Sequence, residues 1–427
     1  MAGRCQSRYL CVNGADVAPR PRVDAQDQLQ GSHRVTATAQ SPKPPRVGVV
    51  GAGYWGPNLI RNLAELPGAP LAAVCDKQAS RLEYVRARYP GVRLYDSFDA
   101  LLESPEIDAV AIATPAETHA RLATQALEQG KHVFVEKPLA TSSAACLELA
   151  ALAQARGLVL MVGHTFLHND AVRWTKARLE AGDLGEVLYL YSRRLNLGQV
   201  RQDINVVWNL APHDISIMLY LLDERPARVA CTGHCFLQPG VEDVAFLTLE
   251  FGALPGSSAR RAAHIHVSWL DPNKVREVVV VGSRKMIVYD DVDPDHMIQV
   301  YDKGVDRVPV ATAGSTNGAA SDPRERAETF GEFKLLLRTG DLLVPKIRFA
   351  EPLRNEMAHF VECIETGAEP LTDWLNGLEV VRVLEAADAS LRADGRPVAV
   401  DWSDVPPRPG RAAHLQPAAP ARGSSER

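Results

Sequence analysis

The sequence predicts a molecule in two parts, an α/β domain built on a parallel sheet and then an α+β domain built on a largely antiparallel open sheet. Two observations predict it. From residue 46 to about 165, short apolar runs alternate with helix-period stretches, opening with "PRVGVVGAGYWGPNLIRNLAEL". Beyond 165, strand-like runs follow one another with few helices between them. A chain of 427 residues with 46% hydrophobic content is long enough for two cores of ordinary size.

The first apolar strand, Val47, Val49 and Val50, runs into Gly51, Gly53 and Gly56 just before a helix-period stretch. In that setting Gly51 permits a tight turn, Gly53 lets backbone approach a pyrophosphate, and Gly56 allows close helix packing. The pyrophosphate then rests on the positive end of the following helix. A glycine-rich turn alone is a weak signal. Here the strand "LAAVC" ends at Asp76, where a carboxylate grips ribose hydroxyls and repels a 2′-phosphate, which favours NAD over NADP. A helix at 78–88, a strand at 108–115, a helix at 117–129, a strand at 132–138, a helix at 142–156 and the strand "LVLMVG" continue the alternation. Together they predict an N-terminal Rossmann dinucleotide-binding domain over 46–165. Glu136, Lys137 and Pro138 close one strand at the sheet edge where ligands of such folds bind. A desolvated lysine there can donate to a substrate hydroxyl and lower its pKa. The competing reading is a surface lysine after a strand.

The second domain is expected over 166–402. A helix around 169–181, the strand "EVLYLYSRRLN" and a helix near 213–222 precede "ARVACTGHCFL", "VAFLTLEF", "AHIHVSWL", "VREVVVVGS" and "KMIVYDD". Two later stripes, Leu353, Met357, Phe360, Ile364 and Val380, Leu384, Ala387, Leu391, have the spacing of buried helix faces. Residues 1–45 and 403–427 are expected to be flexible, the first as a long leader or as sequence upstream of the start. A net charge of −5 gives no pull toward nucleic acid or membrane, and no apolar run is long enough to span a bilayer. Seven scattered cysteines suit a reducing compartment, so a cytoplasmic protein is expected. The "CTGHC" stretch with His264 and His266 reads as strand packing rather than zinc, and "DDVDPD" as a solvated turn rather than a calcium loop. No metal is expected.

Residues 46 to about 400 resemble the glucose-fructose oxidoreductase / inositol dehydrogenase / MocA family of sugar dehydrogenases. The resemblance is carried by "GVVGAGYWG", "EKP" at 136–138, "VGHTF" at 162–166 and "LAPHD" at 210–214. Within the family, "YSRRLNLG" and "EPLRNEMAHFVECIETG" are similar to the branch that acts on nucleotide sugars and uronates. The resemblance implies NAD over Gly51 to Gly56, with Tyr54 and Trp55 in the same loop, its ribose on Asp76 and its nicotinamide near Thr114, Pro115 and Glu136. It also implies that Lys137 and His213 flank a ring hydroxyl, at C3, whose proton His213 removes.

Asn209 stands where the family usually has an aspartate. Four residues before His213, it shares a helix face with that histidine. The expectation is an amide oxygen that holds one tautomer of His213 but cannot stabilise its charged form. Asp214 is an alternative carboxylate, although the next residue on a helix points about 100° away. Without the resemblance, His213 reads as a capping or buried histidine. His164, Arg193 and Asn196 are candidate substrate contacts, an arginine of this strand pairing with a uronate or diphosphate; strand alternation leaves open whether Arg193 or Arg194 faces the site. Three functions stay open: a nucleotide-sugar dehydrogenase, a family member that shuttles hydride or reduces keto-sugars, and a non-catalytic binding protein. The open sheet is expected to pair with another copy, as homodimer or homotetramer.

Overall fold

The computed structural model describes residues 44–198, 200–309, 328–330 and 333–408. Expectations for the two ends beyond these lie outside the described residues. The first layer alternates β1 (Val47–Val50), α1 (Gly56–Glu65), β2 (Leu71–Cys75), α2 (Ala79–Arg88), β3 (Arg93–Tyr95), α3 (Phe98–Leu102), β4 (Ala109–Ile112), α4 (His119–Glu128), β5 (His132–Glu136), α5 (Ser143–Arg156) and β6 (Leu160–Gly163). All six strands run parallel in the order β3-β2-β1-β4-β5-β6. Every residue of β1 and β4 is buried, as required of strands covered on both faces. The order reverses between β1 and β4, and that reversal opens a crevice at their carboxyl ends.

The chain continues through α6 (Asp170–Glu180), β7 (Val187–Leu195) and α7 (Val206–Leu222). It then forms β8 (Arg228–His234), β9 (Val244–Ala253), β10 (Arg260–Ser268), β11 (Val275–Gly282), β12 (Met286–Asp290), β13 (Ile298–Tyr301), β14 (Gly304–Pro309), β15 (Glu328–Phe330), β16 (Phe333–Arg338) and β17 (Leu342–Leu343). The last elements are α8 (Pro352–Thr366), α9 (Trp374–Arg392) and β18 (Val398–Ala399). A nine-stranded sheet has the order β17-β13-β12-β11-β7-β10-β9-β8-β18, antiparallel except where β7 runs parallel to β10. A small sheet, β14-β16-β15, is separate. Alternation along β9 buries Ala245, Leu247, Leu249 and Phe251 and leaves Phe246 exposed, so one sheet face packs under helices and the other is open.

Helix α7 starts seven residues before the sequence reading placed it. Pro212 lies inside it and cannot donate to Trp208 O, which disguises the helical pattern. Asn205 caps its start by accepting from Trp208 N at 3.1 Å. The two late stripes serve different cores. Leu353, Met357 and Phe360 of α8 pack with Leu59, Ile60 and Leu63 of α1, while α9 places Val380 and Leu384 under the large sheet and Leu378 and Val381 against the first domain. The chain is also packed past 402: Val405 is buried, and Arg408 pairs with Glu379 and with Asp223 at 3.1 Å. The flexible tail expected from 403 therefore does not begin there. Among the described residues no helix is long and apolar enough to cross a membrane.

Candidate active site

The glycine loop after β1 is shaped by contacts that only glycine tolerates at two of its three positions. Gly51 has φ +95°, and a Cβ there would lie 2.8 Å from Ala113 O. A Cβ on Gly56 would lie 2.0 Å from Gly51 O, so α1 can approach the strand only as glycine. At Gly53 a Cβ would meet nothing nearer than Arg81 at 3.5 Å. The fold therefore does not demand Gly53, which leaves the space above it for a ligand to approach. Trp55 at the head of α1 makes no side-chain cap, Pro57 has no N–H and Asn58 N donates to Trp55 O at 2.9 Å, which leaves the Gly56 amide to face an anion.

Asp76 closes β2 beside this loop, 7% exposed. Its Oδ2 accepts from Ala52 N at 2.8 Å and from Arg81 Nη1 at 3.2 Å, and its Oδ1 from Gln78 N at 2.8 Å. A carboxylate has about four lone-pair sites, so a ribose hydroxyl can still be accommodated. These residues fit a dinucleotide. Tyr54 is 90% exposed. Trp55 instead turns inward, its Nε1 donating to Glu136 Oε1 at 2.6 Å. Thr114 Oγ1 lies 2.6 Å from Thr118 Oγ1, and Pro115 begins the short turn between them.

At the mouth of the same sheet, Lys137 Nζ donates to Asn209 O at 2.8 Å, tying the end of β5 to α7. Burial lowers the Lys137 pKa and raises that of Glu136, each opposed by the other's charge; Arg194 and Arg201 depress Lys137 further. His213, one turn after Asn209, is held well below the usual imidazole range, first by burial and then by Lys137 and Arg194. These surroundings favour its uncharged form. Its ring meets Phe166 edge-on at 5.1 Å, and its buried Nδ1 has no hydrogen-bond partner among the described residues.

Comparison with known proteins agrees with this geometry. Residues 45–164 match the oxidoreductase family with an NAD-binding Rossmann fold, and residues 172–288 match the GFO/IDH/MocA C-terminal domain. The UDP-N-acetylglucosamine 3-dehydrogenase of Acidithiobacillus ferrooxidans is 32% identical over 233 residues, which cover 53% of this chain and 72% of that protein. This chain belongs to the GFO/IDH/MocA family of oxidoreductases. The scyllo-inositol 2-dehydrogenase (NAD(+)) of Bacillus subtilis is 27% identical over 373 residues, 83% of this chain and 96% of that protein. The WlbA dehydrogenase of Bordetella pertussis, solved with NADH and UDP-GlcNAcA, has the same fold at a TM-score of 0.63 and 20% identity, covering 84% of this chain and 99% of that one. NAD is accordingly the cofactor that the cradle fits.

Within this GFO/IDH/MocA site, Asn209 does not do what the sequence suggested. Its Oδ1 accepts from Trp269 Nε1 at 3.2 Å and does not hold His213. Asp214 does not supply the missing charge either. It is buried and committed to Arg194, whose Nε lies 2.6 Å from Asp214 Oδ2 and whose guanidinium stacks over Phe166 at 4.5 Å. Arg193 is corrected as a substrate contact: it points to the open face and pairs with Glu277 at 2.9 Å, because neighbouring strand residues face opposite ways. Asn196 lies just past β7, half-buried beside Gly198. His164 is buried, donates from Nδ1 to Asn376 Oδ1 at 2.6 Å, and leaves Nε2 unpartnered; burial pushes its pKa to about 4.

Sequence reasoning also missed residues. His119 bridges Pro138 O at 2.7 Å and Thr114 O at 2.8 Å, joining the loops after β4 and β5. A neutral imidazole donates to only one of two carbonyls, and burial lowers the pKa of His119. Trp269 gave no local signal, since it acts through Asn209, which is distant in sequence.

Proposed function

We propose that this protein oxidises a ring hydroxyl, at C3, of a nucleotide-linked sugar or uronate. The observation that carries this reading is the contact of Lys137 Nζ with the carbonyl of Asn209, 2.8 Å away and one helical turn before His213. The contact sets Lys137 against α7 one turn before His213, next in sequence to Glu136, which Trp55 of the glycine loop reaches. Bound NAD supplies the hydride acceptor for the sugar carbon. An ammonium has three protons, so Lys137 keeps its tie to Asn209 while donating to the sugar oxygen. His213, uncharged at neutral pH, takes the hydroxyl proton, a contribution of about 10²–10⁴ in rate. The relatives named above that act on a UDP-sugar support this substrate class.

The test is NADH formation by purified protein with NAD and a panel of UDP-sugars that includes UDP-N-acetylglucosaminuronate. Turnover that disappears in Lys137→Ala while NADH affinity is retained supports the reading; turnover indifferent to Lys137 removes it. A second reading is reduction of a keto-sugar, in which hydride from bound NADH would be matched by a proton that the Lys137 ammonium donates to the sugar oxygen. We also propose that the open sheet face takes a second copy of the chain. Phe246 is 46% exposed there and stacks on His266 at 4.2 Å. Phe246→Glu is expected to shift the protein to a smaller species in sedimentation.

A further inference from the structure

An asparagine in place of a carboxylate offers one acceptor oxygen and two N–H donors on a planar amide. The indole N–H of Trp269 can only donate, and it reaches Asn209 Oδ1 at 3.2 Å. That contact decides which way the amide faces: Oδ1 toward the indole and Nδ2 away from it. The indole cannot easily swing. Trp269 is 1% exposed, and its backbone N–H donates to Asp243 O at 2.9 Å. Asp243 is itself buried and accepts from Phe236 N at 2.8 Å and Leu237 N at 2.7 Å. Asn209 is half-buried, and the side-chain hydrogen bond it makes among the described residues is the one from Trp269 to its Oδ1. The same residue's carbonyl holds Lys137 Nζ at 2.8 Å, and His213 follows one turn later.

We propose that Asn209 is a specificity-determining residue whose Nδ2–H, aimed by Trp269, donates to a carbonyl oxygen that the sugar carries at or beside its reacting carbon. The proposal rests on the sugar-oxidoreductase reading above. A carboxylate at this place accepts from a hydroxyl and repels a carbonyl oxygen; the oriented amide N–H donates to either oxygen, and more strongly to the carbonyl, which is the better acceptor. Two sources have the required chemistry: an acetamido group on the carbon next to the reacting one, and the keto oxygen of the oxidised product. Trp269 acts through Asn209 and is a positioning residue.

The experiment is calorimetric titration of the protein–NADH complex with UDP-N-acetylglucosamine and with UDP-glucose, which differ by acetamido against hydroxyl. The natural chain, Asn209→Asp and Trp269→Phe are compared, with thermal unfolding as the check on folding. A preference of about tenfold for the acetamido nucleotide is expected from one hydrogen bond. It should invert in Asn209→Asp, and in Trp269→Phe it should shrink toward unity as the amide becomes free to flip. A purely structural role for Trp269 would weaken both nucleotides equally, and that result overturns the positioning claim. The keto source is read by NADH oxidation with UDP-3-keto-N-acetylglucosamine: equal binding of the two nucleotides, with a KM for the keto-sugar raised in Asn209→Asp, assigns the contact to the keto oxygen. Equal binding with no effect of Asn209→Asp in either assay overturns the inference alone. Binding of neither nucleotide overturns both the inference and the nucleotide-sugar reading.

Discussion

The cofactor cradle and the proposed catalytic end of α7 lie at the same sheet edge, yet they are built in different ways. The cradle is local: Gly51, Gly53, Gly56 and Asp76 fall within 26 residues, and its shape comes from backbone that a Cβ would obstruct. The catalytic end is assembled from far apart. Lys137 closes a strand of the first sheet, Asn209 and His213 sit on a helix of the second domain, and Trp269 arrives from the end of β10. A local site is specified by spacing, whereas a distant one is specified by packing.

Substitutions can break or sharpen this contrast. The largest effect is expected from Lys137→Ala, which should reduce kcat about 10²–10⁴-fold while leaving NADH titration nearly unchanged. Loss of NADH binding as well would mean that the two regions are not separable. Next comes Arg194→Ala, which leaves Asp214 buried and unpaired and should cost about 3–5 kcal/mol in denaturant unfolding. Its neighbour supplies the control: Arg193 is exposed on the open face, and Arg193→Ala should cost at most about 1 kcal/mol. Equal costs would contradict the facing of the strand. Gly56→Ala forces a Cβ toward Gly51 O and should cost about 1–3 kcal/mol together with most of the NAD affinity, read by fluorescence titration.

A pH dependence of stability separates the two regions further. Burial holds His164 at about 4 and His168 at about 3, against 6.5 for a free imidazole. The unfolded chain therefore binds these protons first as pH falls, and below about pH 6.5 it is the favoured proton acceptor. Stability is fully present above that value and is lost progressively toward pH 4 for His164 and pH 3 for His168. His164→Asn should flatten the fall in unfolding temperature between pH 6.5 and 4; an unchanged slope would mean that other groups set it.

The sequence by itself determined the alternating first domain, the strands from β8 to β12, the cradle glycines and the ends of the strands that carry Asp76 and Lys137. These features depend on periodicity and on backbone sterics, which neighbouring residues settle among themselves. Only the tertiary structure decided which of Arg193 and Arg194 faces inward, because strand alternation has two phases and burial under α7 selects one. It also decided that α8 returns to pack on α1 and that α7 begins before Pro212, where capping by Asn205 and burial outweigh the proline. The role of Asn209 was decided the same way. Its partner lies 60 residues along the chain, and an amide's direction is set by whichever donor packing brings against it.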